Sequence, residues 1–402
     1  MFRTIILTLC LLTFSSLPLS GFSYTPFIPA DQINAVKAKI QTDLDAKKAF
    51  LILTRQADRA AVQPAKVPSE FGGVGQDYLC PDHGVLLVYN EKTGIHHCPA
   101  DNKQYTSEKF DAAHRYYIHM KNSRTAKELG LSYILTGEKK YIAAGRDILL
   151  QYARNWAEYK NLNDKQGHGH IFWQLIDEAQ FAANIAWSYN LLYPGLTANE
   201  QQTIEKELIT PLYIIIQEQR LDKIGTDHAW ENTASALLGF AVENQDWYKP
   251  AIEGPLGLKE HIDKGVLATG LWFDGSPDNH NTVLTALAAV AEIAPQFGFD
   301  LSLEPKLRAM FSAPLTLTLP ADQPQKVPSV DLYELAYAWY KDPVFAKYLT
   351  STYTSNATKI DRLSYRALFY GLPLSKPLPV TASKPVIAPV TPPSPLPVVQ
   401  KN

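Results

Sequence analysis

Apolar side chains recur along residues 111–370 at three- and four-residue intervals, in stripes separated by short Gly, Pro or Asn breaks. That spacing is the signature of amphipathic helices rather than strands. Over residues 141–156, Ala144, Ile148, Leu149, Tyr152 and Trp156 share one helical face. A second helix is predicted over 172–192, stopped by Pro194 and Gly195. Thr197 followed by Glu200 forms a capping-box start for a third, carrying Ile204, Leu208 and Leu212. Further helices are predicted near 232–243, 257–269, 282–296, 330–341 and 343–351, whereas strand alternation is nearly confined to residues 85–88. A long series of antiparallel helix pairs without a sheet packs as a solenoid, a bundle or a closed ring, and the chain has no fixed-period repeat. The predicted fold is therefore all-α, an (α/α) incomplete toroid of antiparallel helix pairs with a short N-terminal Cys/His β-hairpin. Such a ring leaves a cleft at one end, where the connecting loops gather polar and aromatic residues.

The two ends of the sequence read differently from its middle. Residues 1–23 place a single Arg3 before an apolar stretch and finish on small residues at Gly21 and Ser23, the pattern of a secretory signal peptide. The stretch is short for a bilayer span, and no later segment is apolar enough to make one. An exported protein, periplasmic or secreted, is expected, with no stable membrane span after signal removal. Residues 24–110 form the N-terminal segment with the hairpin and 111–374 the toroid domain. Residues 375–402 contain eight prolines and read as a disordered, polyproline-like tail.

Charge narrows the partners. With 38 Lys and Arg against 40 Asp and Glu, the net charge is -2, which gives no broad attraction to nucleic acid. An anionic ligand must then be met by a local site. With Cys10 in the signal segment, Cys80 and Cys98 remain, and His83, His96 and His97 lie close to them. Three states are open: a disulfide closing a short hairpin, a structural zinc site built from Cys80, His83, His97 and Cys98, or free thiols. No other cofactor is expected.

Four segments interrupt the helical pattern with clustered aromatics, His and carboxylates: 114–124, 167–181, 225–232 and 270–281. Each lies at or beside a predicted helix end. Rings with polar tips suit sugars, because a pyranose face stacks on the ring while its hydroxyls take hydrogen bonds. The candidate binding residues are Tyr116, Tyr117, Trp173, Asp177, Glu178, Trp230, Asn232, Trp272, Asp274 and Asn279. The plainer roles are core anchors for Trp173 and Trp230, helix N-terminal charges for Asp177 and Glu178, and solvated loop positions for His168 and His170.

The runs YLCPDHG, HHCPADNKQY, LGLSYILTGEKKYIAAGRDILLQYA, FWQLIDEAQFAANIAWSYNLLY, DHAWENTASALLGF and LWFDGSPDNHNTVLTAL, in that order and spacing, resemble the helical domain shared by heparinase II/III-like and alginate or oligoalginate lyases. The resemblance covers roughly residues 75–370 and implies β-elimination on a 4-linked uronic acid polymer. That chemistry needs the uronate carboxylate neutralised, a base for the C5 proton and an acid for the departing O4. On this resemblance His228 takes the place of the family's catalytic His, His280 is an auxiliary acid or base, and Arg124 is a candidate neutralising cation. Two positions depart from the family pattern. Asp227 stands where an Asn precedes the His, and Asn279 stands where a Tyr is expected, so Tyr116 or Tyr117 would have to supply the phenol.

An acidic polysaccharide or oligosaccharide is the expected partner. Two alternatives to a lyase stay open: a non-catalytic polysaccharide-binding or assembly protein on the same toroid, and a glycoside hydrolase using Asp177, Glu178, Asp274 or Asp278.

Overall fold

The computed structural model describes residues 24–159, 167–317, 326–354 and 361–374. The predicted signal segment, 1–23, and the predicted disordered tail, 375–402, lie outside the described residues. Among these residues the helices are α1 (Ala30–Thr42), α2 (Leu44–Val62), α3 (Glu108–Thr136), α4 (Lys139–Asn155), α5 (Leu175–Leu192), α6 (Ala198–Ile204), α7 (Thr210–Gln219), α8 (Thr226–Ala241), α9 (Gln245–Glu253) and α10 (Leu258–Glu260). They continue with α11 (Pro277–Ala291), α12 (Pro305–Thr316), α13 (Val330–Tyr340), α14 (Pro343–Thr354) and α15 (Tyr365–Tyr370). A π turn, Glu205–Ile209, joins α6 to α7, and another, His261–Gly265, follows α10.

Burial sorts these helices into two layers. Outer α4 buries a single stripe, Tyr141, Gly145, Ile148, Leu149, Tyr152 and Ala153. By contrast, α5 buries 15 of its 18 residues and α8 buries 14 of its 16, as helices surrounded on all sides must. Helices α3, α5, α8 and α11 pack side by side as the inner layer. Helices α3 and α5 run parallel, and the openings of α8 and α11 lie beside theirs: Asp227 acts on Asp177, and His228, His261, Trp272 and His280 follow one another in contact. Tyr116 bonds Asp177, Ser123 accepts from Asn184, and a Cβ on Gly130 would meet Leu191, a constant offset along α3 and α5. The architecture is an α/α toroid of antiparallel hairpins, and all the inner helices begin at the same end.

Several helix boundaries differ from those predicted. Helix α8 starts at Thr226 rather than near 232, and α11 starts at Pro277 rather than 282. In α11, Ser276 caps the Asn279 N–H and Pro277 fills the first turn, so the polar opening turn hid the start of the apolar stripe. The segment 257–269 is helical only to Gly265, because the chain reverses through Gly270 (φ 85) into a bridge between Val266 and Trp272. The Thr197 cap forms as predicted, with Thr197 and Glu200 bonding reciprocally. The N-terminal segment also contains α1 and α2, which the sequence pattern did not announce.

The hairpin is a three-stranded antiparallel sheet in the order β1 (Val88–Asn90), β2 (Ile95–His97), β3 (Gln104–Tyr105). It begins after the predicted residues 85–88, because Val85 and Leu87 instead pair with Cys80 and Tyr78. It is clamped to the first turns of α3 through buried His96, which bonds the Tyr78 hydroxyl at 2.9 Å and Asp111 at 2.8 Å. At the other end of the inner layer, α15 closes the ring: Arg366 bonds Glu292, just after α11, and Asp331 on α13.

Candidate functional site

The inner helices begin at one mouth, so their unpaired N–H groups and partial positive charge are collected at that end. All four sequence-selected segments bring residues toward this end: Asp177 on α5, Asp227 and His228 on α8, and Asp278, Asn279 and His280 on α11 lie in the opening turns, and Tyr116 lies just over two turns into α3.

His228 is buried, and its Nδ1 lies 2.8 Å from the Lys223 carbonyl. A carbonyl can only accept, so Nδ1 carries the proton and Nε2 keeps a lone pair. That Nε2 is buried without a hydrogen-bond partner. Burial also holds the imidazole pKa below its usual value, which keeps the ring neutral and basic at Nε2. The ring of His261 lies edge-on at 5.2 Å; burial pushes its pKa down to about 4. One turn along α8, burial, with Asp227 adding to it, pushes Glu231 up to about 8, and one of its oxygens is unpartnered. Glu231 is thus a neutral carboxyl near pH 7.

A second group faces it from α3 and α5. The Tyr116 hydroxyl donates to Asp177 at 3.2 Å. Burial raises the Asp177 pKa to about 6, the Tyr116 bond pulls it down and the Asp227 charge pushes it up, which brings the two carboxylates into one electrostatic neighbourhood. Tyr117 packs edge-on against Tyr116 at 5.1 Å but donates to the Gly75 carbonyl. Arg124 is exposed two turns further along α3, and its charge reaches Tyr116.

Other selected residues are engaged in the architecture. Glu178 is fully buried and accepts from the N–H groups of His170, Ile171 and Phe172 at 3.1, 2.9 and 2.9 Å, which folds the loop before α5. His280 has both nitrogens on backbone, receiving the Trp272 N–H at 3.2 Å and donating to Met310 at 3.1 Å. Asn232 tethers the Leu256 carbonyl, and Asp274 binds the Ser276 N–H and the Asn279 amide. Trp272 is fully buried and Trp230 nearly so. Trp173 alone among the selected tryptophans is exposed, at 41%, and its ring meets His168 at 4.7 Å. His170, read as solvated, is buried and bonds the Trp156 carbonyl.

Two cavities add scale. One beside Trp272 and His280 holds about 20 Å³, room for a water and no sugar. Another of about 300 Å³ lies against α7, α8 and α9, with Gln217, Arg220 and Ser235 beside the stacked rings of Tyr213 and Trp247. Neither is lined by His228. Glu231, Arg220 and the Tyr213–Trp247 pair were not selected from the sequence. Glu231 had a signal, since it follows His228 by one helical turn, but the ring pair joins two distant helices and had none.

Cys80 and Cys98 are free thiols, so the disulfide between them is not formed in this structure. Cys80, His83 and Cys98 cluster, while His97 stands outside that cluster on β2.

No family model matches the chain. Over 140 residues, 34% of the chain and 19% of the relative, it is 25% identical to an alginate lyase of Stenotrophomonas maltophilia. Over 168 residues, 39% of the chain and 23% of the relative, it is 26% identical to an exo-oligoalginate lyase of Saccharophagus degradans. The matches therefore span less than a quarter of these relatives. Among solved structures, an alginate lyase from Bacteroides ovatus superposes with a TM-score of 0.60 over 87% of this chain and 99% of that one, at 15% identity. An alginate lyase from Sphingomonas species A1 gives 0.54 over 79% and 89%, at 14% identity. The structures share the toroid fold, and with the sequence matches they bear out the resemblance to the alginate-lyase side of this polysaccharide lyase group.

Proposed function

We propose that this protein is a polysaccharide lyase that cleaves a uronate-containing polymer by β-elimination at the mouth where the inner helices begin. The observation that carries this reading is His228: neutral, with its proton fixed on Nδ1 and a bare Nε2, on the opening turn of an inner helix. In the proposed step Nε2 takes the C5 proton, the electron pair forms the C4=C5 double bond, the C4–O4 bond breaks, and the Tyr116 hydroxyl protonates the departing oxygen. The helix N-termini, Arg124 and the neutral Glu231 carboxyl would offset the uronate charge as C5 becomes acidic. Tyr116 thereby stands in for the phenol missing at Asn279, and His280 acts through the Trp272 backbone as a positioning residue.

The hydrolase reading fares worse on the same geometry. Of its four carboxylates, Glu178 is spent on three backbone N–H groups, Asp274 on Ser276 and Asn279, and Asp278 on Lys326 at 2.7 Å. Only Asp177 is left. A binding protein without turnover is favoured by one observation, the Asp177–Asp227 repulsion where a substrate carboxylate would approach.

Purified protein mixed with alginate, heparan-type and glucuronan-type polymers should develop the ultraviolet absorbance of an unsaturated uronate. His228→Asn should lower the rate by roughly 100-fold or more. Oligosaccharide binding with no absorbance on any polymer would replace the lyase reading with the binding one.

A further inference from the structure

The Cys80–Cys98 region is one turn used twice. Cys80, Pro81, Asp82, His83 and Gly84 are matched by Cys98, Pro99, Ala100, Asp101 and Asn102. In each copy the Cys N–H bonds the carbonyl five residues on, Val85 at 2.7 Å and Lys103 at 2.9 Å. In each, the fifth residue returns its N–H to the Cys carbonyl at 2.8 Å and adopts a left-handed conformation, Gly84 at φ 63 and Asn102 at φ 60. Each turn therefore presents a thiol and, three residues later, a second donor: His83 in one, Asp101 in the other.

The donors converge. Cys80 Sγ and Cys98 Sγ lie 3.6 and 3.5 Å from His83 Nδ1, and the three ligand atoms all fall within 4.8 Å of one another. A tetrahedral zinc ion with bonds of about 2.3 Å to sulfur and about 2.0–2.1 Å to nitrogen separates those atoms by about 3.6 Å. Asp101 lies outside that 4.8 Å group but beside it: Oδ2 is 3.9 Å from His83 Nδ1, the other oxygen is held by the Lys103 N–H at 3.0 Å and the carboxyl interacts with Cys98, so a rotation of its side chain would bring it onto the ion. Both sulfurs are buried beneath the half-exposed His83 and Asp101. Donors suited to thiolates are in place, the Ala100 N–H on Cys98 at 3.4 Å and the Tyr105 hydroxyl beside Cys80 at 3.3 Å.

We propose that Cys80, His83, Cys98 and Asp101 form a four-coordinate zinc site, with Asp101 in the place that the sequence pattern alone assigned to His97. Two thiolates with an imidazole select zinc over the hard cations magnesium and calcium. Four protein ligands leave no open position, so the ion is structural. It would lock together the two turns that carry the hairpin, which in turn is bonded to α3 near Tyr116. This assignment is independent of the lyase reading.

The test uses the full chain, reduced and stripped with a chelator, then titrated with zinc and with cobalt. One equivalent of either should bind, and cobalt should show a tetrahedral spectrum with a thiolate charge-transfer band. Asp101→Ala should weaken binding on the order of 10–100-fold or more, and His97→Ala should leave it unchanged. Asp101→Cys, which preserves a fourth ligand and hence the fold, should bind more tightly and strengthen the charge-transfer band. Cobalt binding without that band, no binding by the reduced protein, a Cys80–Cys98 disulfide in peptides of the protein as purified, or an effect of His97→Ala equal to that of Asp101→Ala would each overturn the site.

Discussion

At the scale of single residues, the opening turns combine acids whose environments push them in one direction. Asp177, at about 6 when folded against an ordinary 3.8, holds its proton more tightly in the native state than in the unfolded chain. Its favourable contribution is therefore fully present below pH 3.8 and is lost as pH rises through about 6, leaving the ionised group a burden of roughly 1–3 kcal/mol at pH 7. Asp177→Asn keeps an acceptor for Tyr116 while removing the repulsion with Asp227. It should stabilise the protein by about 1–2 kcal/mol at pH 7, with a gain that vanishes near pH 4, read from urea denaturation of both proteins across that range. Tyr116→Phe separates chemistry from structure: kcat should fall at least ~100-fold with KM little changed, because one partly buried hydrogen bond contributes little to the fold. His228 and Asp177 were legible in sequence because both lie in aromatic-rich segments beside predicted helix ends. Glu231 was not, since its neutral state follows from burial against Asp227 and the walls of the ring. His280 shows the converse: a His beside a turn looks catalytic in one dimension, yet the structure uses both of its nitrogens to hold the Trp272 and Met310 backbones.

At the scale of helices, close approach between the inner members is set by small residues. Gly130 on α3 faces Leu191 on α5, and an added Cβ would lie 2.7 Å from the Leu191 Cβ. Alanine normally gains about 1 kcal/mol over glycine inside a helix, but separating two packed helices costs roughly 1–3 kcal/mol. Overpacking should win, and Gly130→Ala should lower the unfolding midpoint, whereas at an exposed helical site the same change would raise it. Thr197→Ala tests an independent feature, the capping box that starts α6, and should cost about 1 kcal/mol in the same assay. Caps and amphipathic stripes were the readable part of the fold: Thr197 with Glu200, and the α4 face from Ile148 to Tyr152, need no knowledge of neighbours. Helix α2 escaped notice because its buried face is Ala46, Ala49, Leu53 and Ala57, a stripe too small-sided to stand out beside the charged residues around it. The hairpin register was equally hidden, since Tyr78, Cys80 and His96 are placed by long-range pairing rather than by alternation.

At the scale of the whole molecule, the ring depends on a closure far from its mouth. Arg366 on α15 is buried and bonds Glu292 at 3.0 and 2.9 Å and Asp331 at 3.0 Å, while Tyr365 donates to the same Glu292 and covers Lys127 of α3 at 4.4 Å. Nearby, Arg362 pairs with fully buried Glu334, and Lys39 of α1 donates to the Ala367 and Leu368 carbonyls. The last helix is thus tied by charge to α11, α13 and α1, and a ring of hairpins is closed by polar bonds that no hydrophobic pattern reveals. Removing one partner leaves a buried, uncompensated charge, so Arg366→Ala should cost about 3–5 kcal/mol. The double change Arg366→Met with Glu292→Leu removes that pair but leaves Asp331 and Lys127 without their partner charges, so it should recover only part of that loss, as judged by calorimetry. Glu292 lies one residue beyond the C-terminal end of α11, whose 15 residues span about 22 Å from the opening turns. Sites that far apart, with no shared partner, act additively. Well below its lowered melting point, Arg366→Ala should therefore turn over polymer at the wild-type rate, and its combination with Tyr116→Phe should show each defect undiminished: the stability loss of the one and the kcat loss of the other. A kcat loss from Arg366→Ala alone at low temperature would mean that closing the ring also shapes the mouth.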